Sequence, residues 1–238
     1  MPDVPPQPRD RPAAIFDLDN TLLPGPSAER LFIRYLLVRR HFSLPAALRT
    51  LALVARSARQ HPLHVLRRRR PYLRGWEVAR LEALGEEVVA EVIAPRLAPE
   101  GLACLRAHRE AGRLTVLLSG SLPFLLAPIA RRLGVEQVLG TQLEVAAGAY
   151  TGEMTAEHPY GEEKAALACL FAREHGVDLA RSYGYADHHS DAPFLRLFGY
   201  PVCVNPTPRL RGLAAAAGWP VEEWRAGPSR QASGVRRQ

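Results

Sequence analysis

Three times in this sequence a short apolar run ends on a polar residue suited to chemistry, and that repetition constrains the fold more than any other feature. Ala13-Ala14-Ile15-Phe16 leads into Asp17-Leu18-Asp19-Asn20-Thr21, Leu114-Thr115-Val116-Leu117-Leu118 ends at Ser119, and Ser182-Tyr183-Gly184-Tyr185-Ala186 ends at Asp187. Each reads as a buried strand opening into a loop at its carboxyl end. Helical patterns lie at about residues 99–111, 122–134 and 161–175, giving the strand–helix alternation of a parallel, Rossmann-like α/β sheet. Ligands in such sheets sit beyond the carboxyl ends of the strands. The residues at the three strand ends are therefore candidates for a single site.

The stretch from residue 27 to 95 is different, with helical periodicity and no convincing strand. Leu44, Leu48, Leu51 and Ala55 form one apolar stripe, and Leu81, Leu84, Val88 and Val92 form a second. This predicts a helical cap over 27–95 inserted into a catalytic core of residues 11–26 and 96–225, with tails at 1–10 and 226–238. Glycines at turn positions in Glu144–Gly152 predict a hairpin with a structural role.

Composition matters chiefly through one residue. The net charge of +7 suits an anionic partner, yet of 31 basic residues only Lys164 is a lysine. A position that keeps a compact ammonium among guanidinium groups points to a need for a point charge. Cys104, Cys169 and Cys203 form no closely spaced pair, so neither a disulfide framework nor a zinc site is predicted. That usage fits a reducing cytoplasm. Met1–Pro6 lacks the apolar run of a secretory signal, and the sequence has no uninterrupted apolar stretch of membrane-spanning length, predicting a soluble or peripheral protein.

A carboxylate can attack phosphorus and so split a difficult hydrolysis into two easier steps, which makes Asp17 the candidate nucleophile. Asp19, two residues on, has the spacing to protonate the leaving oxygen and later deprotonate water. Several carboxylates around a phosphoryl group require cations. Asp187 and Asp191 supply further oxygen donors suited to Mg²⁺, while Lys164, the Ser119 hydroxyl and the Gly120 N–H are candidates for holding phosphoryl oxygens.

In order along the chain, Asp17–Leu22 (DLDNTL), 117–121 (LLSGS), Lys164 and 187–191 (DHHSD) match the four motifs of the haloacid dehalogenase superfamily. The helical insert after the first motif resembles the capped branch, subfamily IB, that includes phosphoserine phosphatase. Tyr72-Leu73-Arg74-Gly75, Pro95-Arg96-Leu97, Tyr150-Thr151-Gly152 and Val204-Asn205-Pro206 extend the resemblance over nearly everything between residues 13 and 220. The resemblance implies a Mg²⁺-dependent phosphomonoesterase acting on a small phosphorylated metabolite. It makes Asp17 the nucleophile, Asp19 an acid/base and a metal ligand through its carbonyl, Asp187 a direct ligand and Asp191 an orienter of metal-bound water. Ser119 and Lys164 would bind the phosphoryl group. The chain departs from the pattern at His188-His189, where small residues are usual, and at Asn20, where glycine is common.

His188 and His189 read as loop side chains, and Ser121 as a cap for the following helix. Arg67-Arg68-Arg69-Arg70 lacks the aromatic interleaving of a nucleic-acid surface, so no nucleic-acid partner is predicted. The mixture of apolar residues and arginines over 31–40 admits a peripheral membrane contact through the basic cap, with core packing as the default reading. Phosphatase action on a lipid-linked phosphate and a non-catalytic phosphate-binding module are thus the alternatives. Glu29 and an arginine from 67–74 are candidates for a substrate's amine and carboxylate.

Overall fold

A computed structural model describes residues 11–41 and 69–227. The stripe at Leu44, Leu48, Leu51 and Ala55, with Arg67 and Arg68 of the arginine run, lies outside them. The main sheet contains β1 (Ala13–Phe16), β2 (Leu114–Ser119), β3 (Gln137–Gly140), β6 (Tyr183–Ala186), β7 (Tyr200–Val204) and β8 (Val221–Glu222). Its order is β3-β2-β1-β6-β7-β8, with every neighbouring pair parallel. The expected α/β class is thus the observed one. β1 is central, and the chain winds away from it to opposite sides, which opens a crevice at its carboxyl end.

Alternation along β1 assigns the two cores. Ala13 and Ile15 face α5 (Glu162–Glu174), α6 (Ala192–Leu195) and α7 (Pro208–Ala217), where Phe171, Phe194 and Leu210 complete one apolar cluster. Ala14 and Phe16 face the other cluster, shared by α1 (Ala28–Val38), α2 (Val78–Val88), α3 (Pro99–Glu110) and α4 (Pro123–Leu133). Both faces are covered, which is why the strands read as continuous apolar runs rather than alternating ones.

Within the segment 27–95, α1 buries Leu31, Phe32, Tyr35 and Leu36, and α2 buries Leu81, Leu84 and Val88, all in the second cluster. The apolar stripe of α1 is core, leaving only Leu37 and Val38 exposed at its end. No helix among the described residues is long and apolar enough to cross a membrane.

The remaining strands, β4 (Leu143–Ala146) and β5 (Ala149–Met154), form an antiparallel hairpin. Its outer arm pairs with the chain just before α2. Arg70 N–H donates to Gly152 O at 2.7 Å, Gly75 N–H to Tyr150 O at 2.8 Å, and Tyr150 N–H to Trp76 O at 2.9 Å. Gly152 has φ +85°, and a Cβ there would meet the Arg70 carbonyl at 3.1 Å. The hairpin expected to be structural therefore also fixes the backbone of 70–76.

Beneath β1 and β6 lies a polar knot. His108 Nε2 is 2.7 Å from the Tyr185 hydroxyl, and Arg113 reaches His108 Nδ1 at 3.3 Å. Burial, with the Arg113 charge second, lowers the imidazole pKa to about 4. The unfolded chain, titrating near 6.5, binds this proton first, so native stability falls as pH drops from 6.5 towards 4. We expect His108→Gln to flatten the acid side of the melting temperature against pH relative to wild type. Parallel curves for the two proteins between pH 7.5 and 4.5 would refute this assignment.

Candidate active site

The carboxyl edge of the sheet gathers the sequence-predicted residues. Asp17 follows β1 directly, its N–H still paired to Tyr185 O at 3.0 Å. Ser119 is the last residue of β2, Asp187 follows β6, and Lys164 stands in the first turn of α5. Lys164 Nζ lies 2.8 Å from Asp191 Oδ2 and 3.2 Å from Asp17 Oδ1. The lysine is only 2% exposed. Burial works against its charge, but the Asp17 and Asp191 carboxylates outweigh that effect and raise its pKa, so it stays an ammonium.

Asp17, Asp187 and Asp191 each place a carboxylate oxygen within 4.8 Å of the others. Three acids against one ammonium leave two negative charges uncompensated. Burial pushes the Asp17 carboxyl well above its usual range; Lys164 opposes this, while Asp191, Asp187 and Asp19 add to it. Burial likewise raises Asp187 to about 6, against a hydrogen bond from Asn20 and with help from Asp191. A hard dication fits such an all-oxygen, charge-deficient set.

Asp19 points elsewhere. Its Oδ1 accepts the Ala28 N–H at the start of α1 at 2.8 Å, and its Oδ2 accepts the Ser121 hydroxyl at 3.2 Å. Burial raises its pKa, with those two hydrogen bonds pulling the other way. Asp17, Asp19, Ser119, Lys164, Asp187 and Asp191 line one pocket of about 330 Å³, which also takes in Glu29, Arg70, His158 and His188. A wider groove of about 620 Å³ on the outer side of α5 contains none of them.

The sequence profile described as haloacid dehalogenase-like hydrolase matches residues 14–196. The chain belongs to that family. It is 36% identical over 219 residues to a Mycobacterium tuberculosis protein named phosphoserine phosphatase SerB1, covering 90% of this chain and 71% of that one. It is 31% identical to a histidinol-phosphatase of Neisseria meningitidis serogroup C, covering 87% and 96%. A crystal structure of a Bordetella pertussis protein of unknown function superimposes with a TM-score of 0.75 at 30% identity, covering 89% and 98%.

In this haloacid dehalogenase-like hydrolase the structure also gives partners to residues that the sequence named without roles or with separate ones. Asn20 and Asn205 hold left-handed backbones, φ 58° and 45°, and clasp each other across the sheet edge. Asn205 Nδ2 donates to Asn20 O at 3.0 Å, while Asn20 Nδ2 donates to Asp187 Oδ2 at 3.0 Å. Asparagine tolerates the left-handed region better than most residues, which explains how it replaces glycine at position 20. Glu29 Oε1 meets Arg70 Nε at 2.7 Å and accepts the Tyr72 hydroxyl at 2.5 Å. Two residues expected to engage a substrate separately are thus joined to each other.

One expectation is corrected. Ser121 does not cap α4, whose N-cap is Leu122 with no side-chain bond. Pro123 removes an N–H from the first turn, and the Asp19 carboxylate is a stronger acceptor within reach. His188 does serve its own loop, accepting the Ser190 N–H at Nδ1, while its ring lines the pocket. Thr141 and His158 had no signal beyond a weak one: 137–141 (QVLGT) resembles a strand ending on a polar residue, and treating it as one puts Thr141 beside Ser119.

Proposed function

We propose that this chain is a Mg²⁺-dependent phosphomonoesterase of the cytoplasm that carries the phosphoryl group on Asp17. The observation behind this reading is the meeting of Asp17, Ser119, Lys164, Asp187 and Asp191 in one buried pocket at the carboxyl edge of the sheet. Asp17 attacks phosphorus, and the bond from phosphorus to the substrate's alcohol oxygen breaks. Asp19 gives that oxygen a proton, a task helped by its raised pKa. The resulting carboxylate takes a proton from water as the water attacks phosphorus. The Asp17–phosphorus bond then breaks, releasing inorganic phosphate and restoring both side chains.

Lys164, the Ser119 hydroxyl and the Gly120 N–H hold phosphoryl oxygens throughout. Asp17, Asp187 and Asp191, with the Asp19 carbonyl, would hold the cation, which supplies charge neutralisation for the transferring group. In this reading residues 27–95 are the cap and 11–26 with 96–225 the core, a division supported by Glu29, Arg30 and Arg70 entering the pocket from the insert.

Among the described residues Glu29 Oε1 serves Arg70 and Tyr72, and Oε2 is the oxygen available to a donor on the substrate. An amine fits it best. Phosphoserine and histidinol phosphate, the compounds for which two relatives are named, both carry an amine beside the phosphorylated carbon; the first has a carboxylate where the second has an imidazolylmethyl group. The decisive experiment is phosphate release from a panel containing both, with sugar phosphates, nucleotides and lysophosphatidate, with and without Mg²⁺. Metal-dependent turnover of an amino-alcohol phosphate is the expected result. A silent panel with folded, metal-loaded protein would overturn the reading, and selective turnover of lysophosphatidate would move it to lipid-linked phosphate.

Metal binding is testable apart from turnover. Mg²⁺ stabilises the fold by binding it in preference to the unfolded chain. Burial raises the Asp187 pKa to about 6, so protons compete with the ion for this carboxylate increasingly as pH falls from 8 to 5. Saturating Mg²⁺ is therefore expected to raise the melting temperature more at pH 8 than at pH 5. Equal shifts at the two pH values would argue against this carboxylate set as the site.

A further inference from the structure

The Ser119 hydroxyl does not stand alone at the pocket floor. Ser121 N–H donates to Ser119 Oγ at 3.1 Å. The same peptide group carries the Gly120 carbonyl on its opposite side, and that oxygen accepts the Thr141 hydroxyl at 2.7 Å. Thr141 Oγ1 is in turn 3.2 Å from His158 Nδ1. Thr141 is 2% exposed and Ser119 1%, so these partners are not exchanged with bulk water.

Donor and acceptor inventory fixes the direction of this chain. A carbonyl only accepts, so the single hydroxyl proton of Thr141 goes to Gly120. Its contact with His158 is then an Nδ1–H donating to Thr141 Oγ1. Ser119 Oγ spends an acceptor position on the Ser121 N–H, which leaves its own O–H to rotate away into the pocket. The His158 ring also sits against Gly120, where a Cβ would come within 2.4 Å of it. Ring and hydrogen bonds therefore hold the Gly120–Ser121 peptide from both sides.

We infer that His158 and Thr141 are positioning residues that set the Ser119 hydroxyl as a phosphoryl donor through the Gly120–Ser121 peptide. The inference rests on the reading of Ser119 as a phosphate ligand. Thr141 lies behind the pocket lining, and His158 enters the lining against Gly120; both act by denying the peptide its alternative orientation.

The test measures inorganic phosphate affinity by calorimetry on the Mg²⁺-loaded full chain, together with KM and kcat for a panel substrate. Ser119→Ala is the reference for the underlying reading, and wild-type phosphate affinity in that variant would remove the reading itself. Given a loss there, Thr141→Val is expected to weaken phosphate about 10-fold, comparable to losing one hydrogen bond. KM rises by the same factor while kcat changes by no more than about 3-fold, and Thr141→Ser restores affinity. Should Thr141→Val fail to melt cooperatively, His158→Phe keeps a ring on Gly120 while removing the Nδ1 donor, and the same KM-weighted loss is expected. Wild-type phosphate affinity in a folded Thr141→Val or His158→Phe protein, beside a weakened Ser119→Ala, would overturn the relay and leave the phosphate site standing.

Discussion

Asp17→Asn is expected to lower phosphate release by about 10⁴-fold or more, because a carboxamide does not attack phosphorus and no other side chain occupies its place. The same change is expected to leave metal-free melting temperature unchanged or raised. Asp17 belongs to a set with two uncompensated negative charges, and burial already pushes its carboxyl well upward. Removing one charge relieves that repulsion, while Mg²⁺ affinity falls with the lost ligand. An inactive protein that is at least as stable as wild type separates a missing nucleophile from a damaged fold. Residual turnover above about one hundredth of wild type, well outside the loss that removal of a nucleophile brings, would sink the assignment of Asp17.

Lys164→Met is expected to damage both function and fold. Its ammonium lies 2.8 Å from Asp191 and 3.2 Å from Asp17 in a site almost closed to water. Removing one member of a buried ionic set leaves unpaired charge and costs about 3–5 kcal/mol. The sign of the pH dependence follows from the carboxylates. Burial already raises Asp17 and Asp187, and Lys164 opposes both shifts; without the ammonium they move further above the unfolded value, so the penalty is absent at low pH and grows as pH rises from about 4 towards neutrality. The gap in melting temperature between variant and wild type should therefore widen from pH 5 to pH 8 and narrow again with Mg²⁺. Turnover is expected to fall about 10³-fold or more as phosphoryl charge loses its fixed partner. A pH-independent gap would mean that Lys164 contributes packing, including its 5.2 Å approach to the Phe194 ring, rather than charge.

Much of the site was legible because its chemistry sits at the ends of locally recognisable strands. Asp17, Ser119 and Asp187 each close an apolar run, and Lys164 is the single lysine of the chain. What escaped depends on pairing between distant segments. β3 is only partly buried, so its pattern is faint, and with it Thr141 was lost. Asn205 acquires meaning only once β7 brings it against Asn20. Ser121 obeyed a local capping rule until an acid from the β1 loop, 102 residues away, outbid the helix N-terminus. Which arginine of the basic run engages Glu29 is set by backbone pairing to Gly152, a register that composition does not encode. The α1 stripe was ambiguous between lipid and core because both select the same apolar residues, and burial of Leu31, Phe32, Tyr35 and Leu36 places it in the core.

The pairing of the β4–β5 hairpin with residues 69–78 has a bearing on how such an enzyme diversifies. Arg70 is presented by that antiparallel seam, whereas the carboxylates and lysine are presented by the parallel sheet and α5. The two sets are carried by different backbone pairings that share one apolar core, in which Leu73 and Tyr150 of the seam pack with Phe16 and Leu117 of the sheet. If the proposed function holds, exposed positions of the hairpin and its partner segment are where a combinatorial library is expected to change substrate preference with least disturbance of the carboxylates and lysine, since those stand on other elements.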